Sequence, residues 1–190
     1  MEPAECIIPI HRPRTSEMLF FFLCGVITSI PLTVLVASLA DPLLGGLNHF
    51  AATLISTAIF APFIEEFSKV FPLYYRHGET QRSILNLAIM VGLGFAIVEL
   101  FTYVFVTGTP WYFRIPGLFF HPSSTAIAAY GIASKKPLPF YGLAVALHFS
   151  NNFLAVTDPL APLSISVLIV ALTVWIAWTL YRRTKEKVIA

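Results

Sequence analysis

The sequence contains six long apolar stretches, and this feature most limits the folds that the chain can adopt. Short breaks that contain Pro, Gly or charged residues separate the stretches. The breaks read DPLLGG, RHGETQR, TGTP, SKKP and TDPLAP, and each carries residues that end helices. Crossing a bilayer takes about 20 mainly apolar residues in a helix. The stretches cover roughly residues 17–40, 47–75, 83–107, 112–133, 137–157 and 161–181.

The composition agrees with membrane insertion. Of the 190 residues, 57% are hydrophobic and 12% are charged, against about 25% charged in an average soluble domain. A chain of this length usually forms one domain. The sequence therefore predicts an all-α, polytopic membrane helix bundle with about six transmembrane helices, a single domain over residues 1–190.

The distribution of Lys and Arg predicts the orientation of the spans. Ten of the twelve lie before the first span or after the second, fourth and sixth: Arg12, Arg14, Arg76, Arg82, Lys135, Lys136, Arg182, Arg183, Lys185 and Lys187. The opposite loops hold Asp41, Asp158 and at most Arg114. The positive-inside rule then predicts an even number of spans with both termini in the cytoplasm.

One alternative for the first span and one class of partner have little support. The first stretch could be a signal peptide cleaved after Ser38-Leu39-Ala40, but its apolar run exceeds the roughly 7–15 residues of a signal h-region. No basic patch stands apart from the loops, so nucleic-acid binding has no support. We expect the lipid bilayer as the environment and the cell membrane as the location of a multi-pass protein.

Ionisable side chains lie inside the predicted spans, where each costs about 2.5–3.5 kcal/mol at the bilayer centre. Because pairing reduces this cost, the set predicts one shared site in the bundle. Its members are Glu65, Glu66, Lys69, Glu99, His121 and His148, with Arg114 near the outer edge of the fourth span.

Helical spacing places these groups on common faces. Lys69 is i,i+4 from Glu65 and i,i+3 from Glu66, so one carboxylate can pair locally while the other remains free. His148 and Asn152 are i,i+4 in the fifth span and project from one face. The alternative for any single residue is a structural role, such as a neutralised pair that fixes helix packing.

Two further spans present polar groups inward. Arg114, His121 and Thr125 fall at i, i+7 and i+11 and share a face of the fourth span. Glu99 follows Gly92 and Gly94, which let a neighbouring helix come close. The remaining histidines, His11, His49 and His77, lie in loops or at span ends.

The residues fall in four motifs that resemble a known family. The motifs read EEFSK from Glu65, FAIVE ending at Glu99, RIPGLFFHPSSTAIAAYG from Arg114, and HFSNN from His148. In this order the chain resembles the PrsW family of intramembrane peptidases, relatives of the CAAX-processing and bacteriocin-processing membrane proteases. The CAAX-type relatives carry His at the Glu99 position. One departure is Leu100, where the PrsW family usually has Asn.

The resemblance implies an intramembrane peptidase that hydrolyses a membrane-anchored protein or peptide. It implies a site made of Glu65, Glu66, Glu99, His121, His148 and Asn152, and we expect support from Lys69, Arg114 and Thr125. Either glutamate of the EEFSK motif could be the base. We favour Glu65, because the first glutamate activates the water in the CAAX-type relatives.

The sequence is compatible with two catalytic mechanisms. Without metal, a glutamate takes a proton from the attacking water while His148 and Asn152 stabilise the oxyanion. With metal, the candidate ligands of a Zn²⁺ ion are Glu66, His121, His148 and Glu99, a set like the His₂Glu catalytic sites. The HExxH helix that would decide for zinc is absent from the sequence.

Depth in the membrane argues against a single site. At 1.5 Å per residue, Glu66 lies about 7 Å to the cytoplasmic side of its predicted midpoint and Glu99 about 6 Å to the outer side. The two would meet only through a tilt, a kink at Pro62 or a longer second helix. Otherwise Glu99 only supports the site.

Two other functions compete with proteolysis. Intramembrane Glu and His chains also form proton relays in transporters and channels. Polar residues can alternatively hold a partner helix against a membrane scaffold.

Overall fold

The structure, a computed structural model, describes residues 10–75, 78–157 and 165–189. Among these residues it contains helices and no strand, so the predicted all-α class is confirmed. The helices are α1 (Thr15–Leu44), α2 (His49–Leu54), α3 (Ala61–Tyr75), α4 (Gln81–Phe105), α5 (Ile115–Ala133), α6 (Pro137–Thr157) and α7 (Ile165–Arg183). A π-helical turn, Ile55–Phe60, joins α2 to α3, and a 3₁₀ turn, Trp111–Phe113, precedes α5.

The helices follow the six predicted apolar stretches within a few residues. Within the described part of the chain, three are long and apolar enough to cross a membrane: His49–Tyr75, Gln81–Phe105 and Ile165–Arg183. The number of six spans and the cytoplasmic placement of the termini stay predictions. The start of the sixth predicted stretch lies outside the described residues, as do Arg76, His77 and Asp158.

Helices α1 and α4 touch along their backbones. A Cβ atom at Gly25 would overlap the carbonyl oxygen of Val91, and one at Gly94 would overlap that of Phe22. Phe21 is 1% exposed in the same interface. Close approach through small residues is typical of helices that pack in membranes, and it makes the first apolar stretch a part of the bundle.

Helix α3 has its polar face inside and its aromatic face outside. Phe63, Phe67 and Phe71 recur at every fourth position and are each about half exposed, whereas Glu66 and Lys69 are 0% exposed. This arrangement reverses the one in soluble amphipathic helices. In a bilayer it puts apolar rings toward lipid and keeps charged groups in the bundle interior.

Both ends of the described chain meet at the loop between α3 and α4. The amide of His11 donates to the Glu79 carboxylate at 2.9 Å, and the amide of Ile189 donates to the Glu79 carbonyl at 3.0 Å. Arg82 donates two hydrogen bonds of 2.7 Å to Thr184, after the last helix. The N-terminal segment, this loop and the C-terminal segment therefore share one end of the bundle.

Candidate active site

Glu66 is the hub of a buried polar cluster. Its Oε1 lies 2.6 Å from Lys69 Nζ, one turn further along α3, and both side chains are 0% exposed. The same oxygen accepts from Ser124 Oγ of α5 at 3.1 Å and lies 2.8 Å from His148 Nδ1 of α6. One carboxylate thus ties three helices together.

Lys69 connects this hub to α5. Its Nζ lies 3.1 Å from His121 Nδ1 and donates to Ser124 Oγ at 3.2 Å. It also lies 5.1 Å from the centre of the Phe95 ring. Of the two local pairings that the spacing allowed, the structure forms the one with Glu66.

Glu99 brings Arg114 and His121 into the same cluster. Arg114 Nη2 donates to Glu99 Oε1 at 2.6 Å, and His121 Nε2 lies 2.5 Å from Glu99 Oε2. The Arg114 guanidinium also lies 3.8 Å from the Tyr103 ring centre, a distance typical of cation–π contacts. Arg114, the residue before α5, and His121, in α5, therefore both face α4, as their spacing predicted.

The expected mismatch in depth does not keep Glu99 away from Glu65. Glu65 lies about ten residues before the end of α3 and Glu99 about 18 residues after the start of α4, a difference of about 12 Å along straight parallel helices. Nevertheless Glu65, Glu99 and His121 offer side-chain atoms that all lie within 4.8 Å of one another. The helices are therefore offset or inclined, and Glu99 belongs to the cluster.

Glu65 presents an oxygen that the protein leaves open. Its buried Oε2 makes no hydrogen bond to any described residue and lies 3.6 Å from His148 Nε2. Glu66 Oε2 and Arg114 Nε are also buried without such a partner. Buried polar atoms are almost always satisfied, so these positions suit a water, an ion or a substrate group.

Asn152 supports the helix that carries the two glutamates. Its side-chain amide donates to the carbonyl of Thr57 at 3.0 Å. In π-helical geometry that carbonyl would bond to the amide five residues later, but residue 62 is a proline without an N–H. Asn152 supplies the donor that Pro62 lacks.

Thr125 acts within its own helix. Its hydroxyl donates to the carbonyl of His121 at 2.7 Å and is fully buried. It therefore braces the turn that presents His121, and its oxygen is not among the groups that converge on Glu66.

A cavity of about 300 Å³ is lined by residues between α4 and α5 and by part of the cluster, but not by Glu65 or Glu66. Its polar lining includes Arg114, the two buried histidines, and Asn151 hydrogen-bonded to Ser166 at 2.5 Å. Phe113, Phe120 and Val170 form part of its apolar wall. The lining also includes Glu99 and Asn152, so five of the predicted residues border one cavity.

Some residues of the site were not predicted. Ser124 lies three residues after His121, so helical spacing could have placed it on the same face. A serine among small residues of a membrane helix is more often a packing residue, so its sequence context did not indicate a role in the site. Tyr103 and Asn151 carry no comparable local signal, because their partners come from other helices.

The donor set fits a divalent metal in type and in spacing. Glu65, Glu99 and His121 form a group of potential ligands, and two carboxylates with imidazole are ligand types of catalytic zinc sites. The open Oε2 of Glu65 is the observation that most favours this fit. The predicted ligand set contained Glu66 instead, whose Oε1 already has three partners.

A helix bundle with a buried Glu/His cluster beside a cavity is typical of membrane-embedded hydrolases. The family model of the PrsW family intramembrane metalloproteases matches residues 13–179, so the chain belongs to this family. Searches among curated proteins and among solved structures found no match. The protein is therefore an integral membrane protease, the class that the four motifs predicted.

Proposed function

We propose that the protein hydrolyses a peptide bond of a membrane-associated protein, with Glu65 as the general base. The observation that carries this proposal is the open Oε2 of Glu65, buried and 3.6 Å from His148 Nε2. Glu66 is the weaker candidate, because its other oxygen is committed to Lys69, Ser124 and His148.

In the proposed reaction Glu65 first takes a proton from a water molecule beside its open oxygen. The water oxygen attacks the carbonyl carbon of the scissile bond and forms a tetrahedral intermediate. Glu65 then returns the proton to the leaving nitrogen as the C–N bond breaks. One carboxylate thus serves as base and acid in turn.

Two residues of the cavity wall can stabilise the oxyanion. Arg114 keeps a buried Nε–H that has no partner among the described residues. Asn152 donates one amide hydrogen to Thr57 and lines the cavity, so its second amide hydrogen can face the substrate. Each such donor contributes about 3–4 kcal/mol in a water-poor site.

A divalent metal, with Zn²⁺ as the ion that suits the ligand types, completes the proposal. Glu65 and His148 are the residues that could hold it, and a Glu99 carboxylate oxygen lies within 4.8 Å of one of Glu65. When bound, such an ion polarises the attacked carbonyl and eases deprotonation of water. In that metal version the open oxygen of Glu65 would be a ligand, and the remaining glutamate, Glu66, whose Oε2 is also buried without a partner among the described residues, would be the base.

The cavity indicates how the substrate is presented. Its wall combines aromatic rings with amide and hydroxyl groups, which suits an extended peptide with apolar side chains. Because Thr109 and Phe113, between α4 and α5, line the cavity, we expect the substrate segment to approach the site from that end of the bundle.

Cleavage of a single-span reporter protein in liposomes tests the proposal. We expect the wild type to cut, Glu65→Gln to lose at least about 100-fold in rate as expected for general acid–base catalysis, and the exposed-site control Leu138→Ala to cut normally. Failure of the wild type on a panel of reporters, or normal cleavage by Glu65→Gln, would contradict it.

A chelator arm tests the metal. We expect cleavage to stop after treatment with a zinc chelator and to return when Zn²⁺ is added, because a catalytic site of carboxylate and imidazole ligands works only with its ion bound. Undiminished cleavage after metal removal, verified by elemental analysis of the protein, would favour the metal-free mechanism.

A further inference from the structure

The two buried histidines of the site face neighbours of opposite character. His121 Nδ1 lies 3.1 Å from Lys69 Nζ, whereas His148 Nδ1 lies 2.8 Å from Glu66 Oε1. An ammonium group offers only hydrogen-bond donors, and a carboxylate only acceptors. The same ring nitrogen therefore accepts a hydrogen bond in His121 and donates one in His148.

Both ring nitrogens of His121 are engaged as a result. With Nδ1 accepting from Lys69, the ring proton lies on Nε2, which is 2.5 Å from Glu99 Oε2 and donates to it. Glu99 is itself held by Arg114 at 2.6 Å. His121 consequently has no free electron pair for a water, a substrate or a metal.

His148 has the opposite arrangement. Its Nδ1–H donates to Glu66, so in the neutral ring Nε2 carries the free electron pair and faces Glu65 Oε2 at 3.6 Å. Two acceptors at this distance need a donor or a cation between them. Two ligands of a tetrahedral Zn²⁺ ion, each about 2.0–2.1 Å from the metal, lie about 3.3 Å apart.

The neighbours of each ring sharpen the contrast. A histidine that binds a metal almost always donates its other N–H to a carboxylate or carbonyl. His148 does this through Glu66, whereas the other nitrogen of His121 faces the ammonium of Lys69. Spacing alone groups His121 with Glu65 and Glu99, but hydrogen-bond chemistry selects His148.

We propose that Glu65 Oε2 and His148 Nε2 form the open pair that takes the reacting water or a divalent metal. Lys69 is then a positioning residue that, with Glu99, fixes His121 as a support. The inference rests on the proposed function for the identity of the reaction, but its test reads hydrogen positions and ion binding and needs no substrate.

Nuclear magnetic resonance of ¹⁵N-labelled histidines reads the two tautomers. The starting protein, purified in detergent, carries His11→Gln, His49→Gln and His77→Gln, so that only His121 and His148 report. We expect one ring protonated on Nε2, whose signal His121→Asn removes, and one protonated on Nδ1, whose signal His148→Asn removes. Two identical tautomers, the reverse assignment or a doubly protonated His121 or His148 would overturn the proposal.

Lys69→Met tests the cause of the difference. Without the ammonium, His121 is expected to populate both tautomers while His148 stays protonated on Nδ1 through Glu66. An unchanged single tautomer of His121 in a folded Lys69→Met protein would show that Lys69 does not position it. If this variant does not fold, the tautomers of the starting protein still decide the main proposal.

Co²⁺ alone, followed by its visible absorption, probes the ion-binding arm. Glu65→Gln and His148→Asn are expected to weaken binding by more than about 100-fold, the upper end of the loss seen for outer-shell partners. His121→Asn, the matched control on the other histidine, is expected to lose no more than about 10–100-fold, as an outer-shell partner does. Equal losses for the two histidine variants would overturn the assignment.

The two proposals can fail separately. A protein that shows these tautomers but cuts no reporter would refute the proposed function and leave the open pair standing. An active peptidase with the reverse tautomers would do the opposite.

Discussion

Replacing Glu66 and Glu65 by Gln, one at a time, separates the anchor of the site from its proposed base. Glu66 Oε1 lies 2.6 Å from Lys69, 2.8 Å from His148 and 3.1 Å from Ser124, with no solvent exposure. Glu66→Gln leaves the Lys69 ammonium buried without its counter-charge. Breaking a buried ion pair in this way costs about 3–5 kcal/mol.

Glu65→Gln is expected to lower the free energy of unfolding much less. In the described structure its buried Oε2 has no hydrogen bond to lose, so we expect the free energy of unfolding to change by less than about 1 kcal/mol. For a chain of this size about 1 kcal/mol shifts the melting temperature by roughly 2–4 °C. The Glu66 variant should therefore melt about 6–20 °C below the wild type, and the Glu65 variant within about 4 °C of it.

Thermal unfolding in detergent, monitored by circular dichroism, measures the difference in stability between the two variants. The liposome cleavage assay measures their activity. We expect a Glu65→Gln protein that is folded and inactive and a Glu66→Gln protein that is inactive and unstable. Equal melting temperatures would show that Glu66 is not the anchor. Cleavage by the folded Glu65 variant would remove its role as base.

Two further substitutions test how packing supports the site. Gly92→Ala would place a Cβ atom 2.6 Å from the carbonyl oxygen of His121. We therefore expect α5 to shift, the free energy of unfolding to fall by about 1–3 kcal/mol and cleavage to slow. The control is Gly142→Ala, whose Cβ atom would meet nothing within 4 Å and which should stabilise the protein by up to about 1 kcal/mol. Arg82→Ala removes two 2.7 Å hydrogen bonds to Thr184 and should cost about 1–3 kcal/mol, while the cleavage rate per folded molecule stays unchanged. Melting curves and rates normalised to folded protein check both, and a stable Gly92→Ala enzyme with full activity would contradict the packing argument.

The local pairing around Lys69 could be predicted from the sequence, but not its choice of partner. Spacing allowed Lys69 to pair with Glu65 or with Glu66. The structure forms the pair with Glu66, whose oxygen also meets Ser124 and His148. Those contacts come from α5 and α6, and no feature of the α3 sequence encodes them.

The predicted mismatch in depth shows a second limit of prediction from sequence, which concerns helix geometry. It assumed straight helices centred on one plane, and under that assumption Glu66 and Glu99 could not meet. In the structure the second span is interrupted by the π-helical turn Ile55–Phe60, and α3 is offset from α4 or inclined to it. A proline such as Pro62 signals that a helix changes, but the kind of change depends on what fills the lost hydrogen bond.

Predicting the tautomers requires both partners of each ring. His121 and His148 look equivalent in the sequence, since each is a histidine in an apolar span. They differ only because Lys69 faces one ring and Glu66 the other. The residue types of the site were therefore predictable, whereas the role of each depended on contacts between helices.

Both ends of the described part of the chain meet at Glu79, which has a practical consequence for labelling experiments. Helix α4 leaves this loop and, if it crosses the bilayer once, ends beside the α4–α5 loop, which lines part of the cavity. A fluorescent or affinity tag on either terminus should then lie in the compartment opposite to that cavity. Impermeant quenchers applied to one side of sealed vesicles would reach the tags or the cavity, but never both.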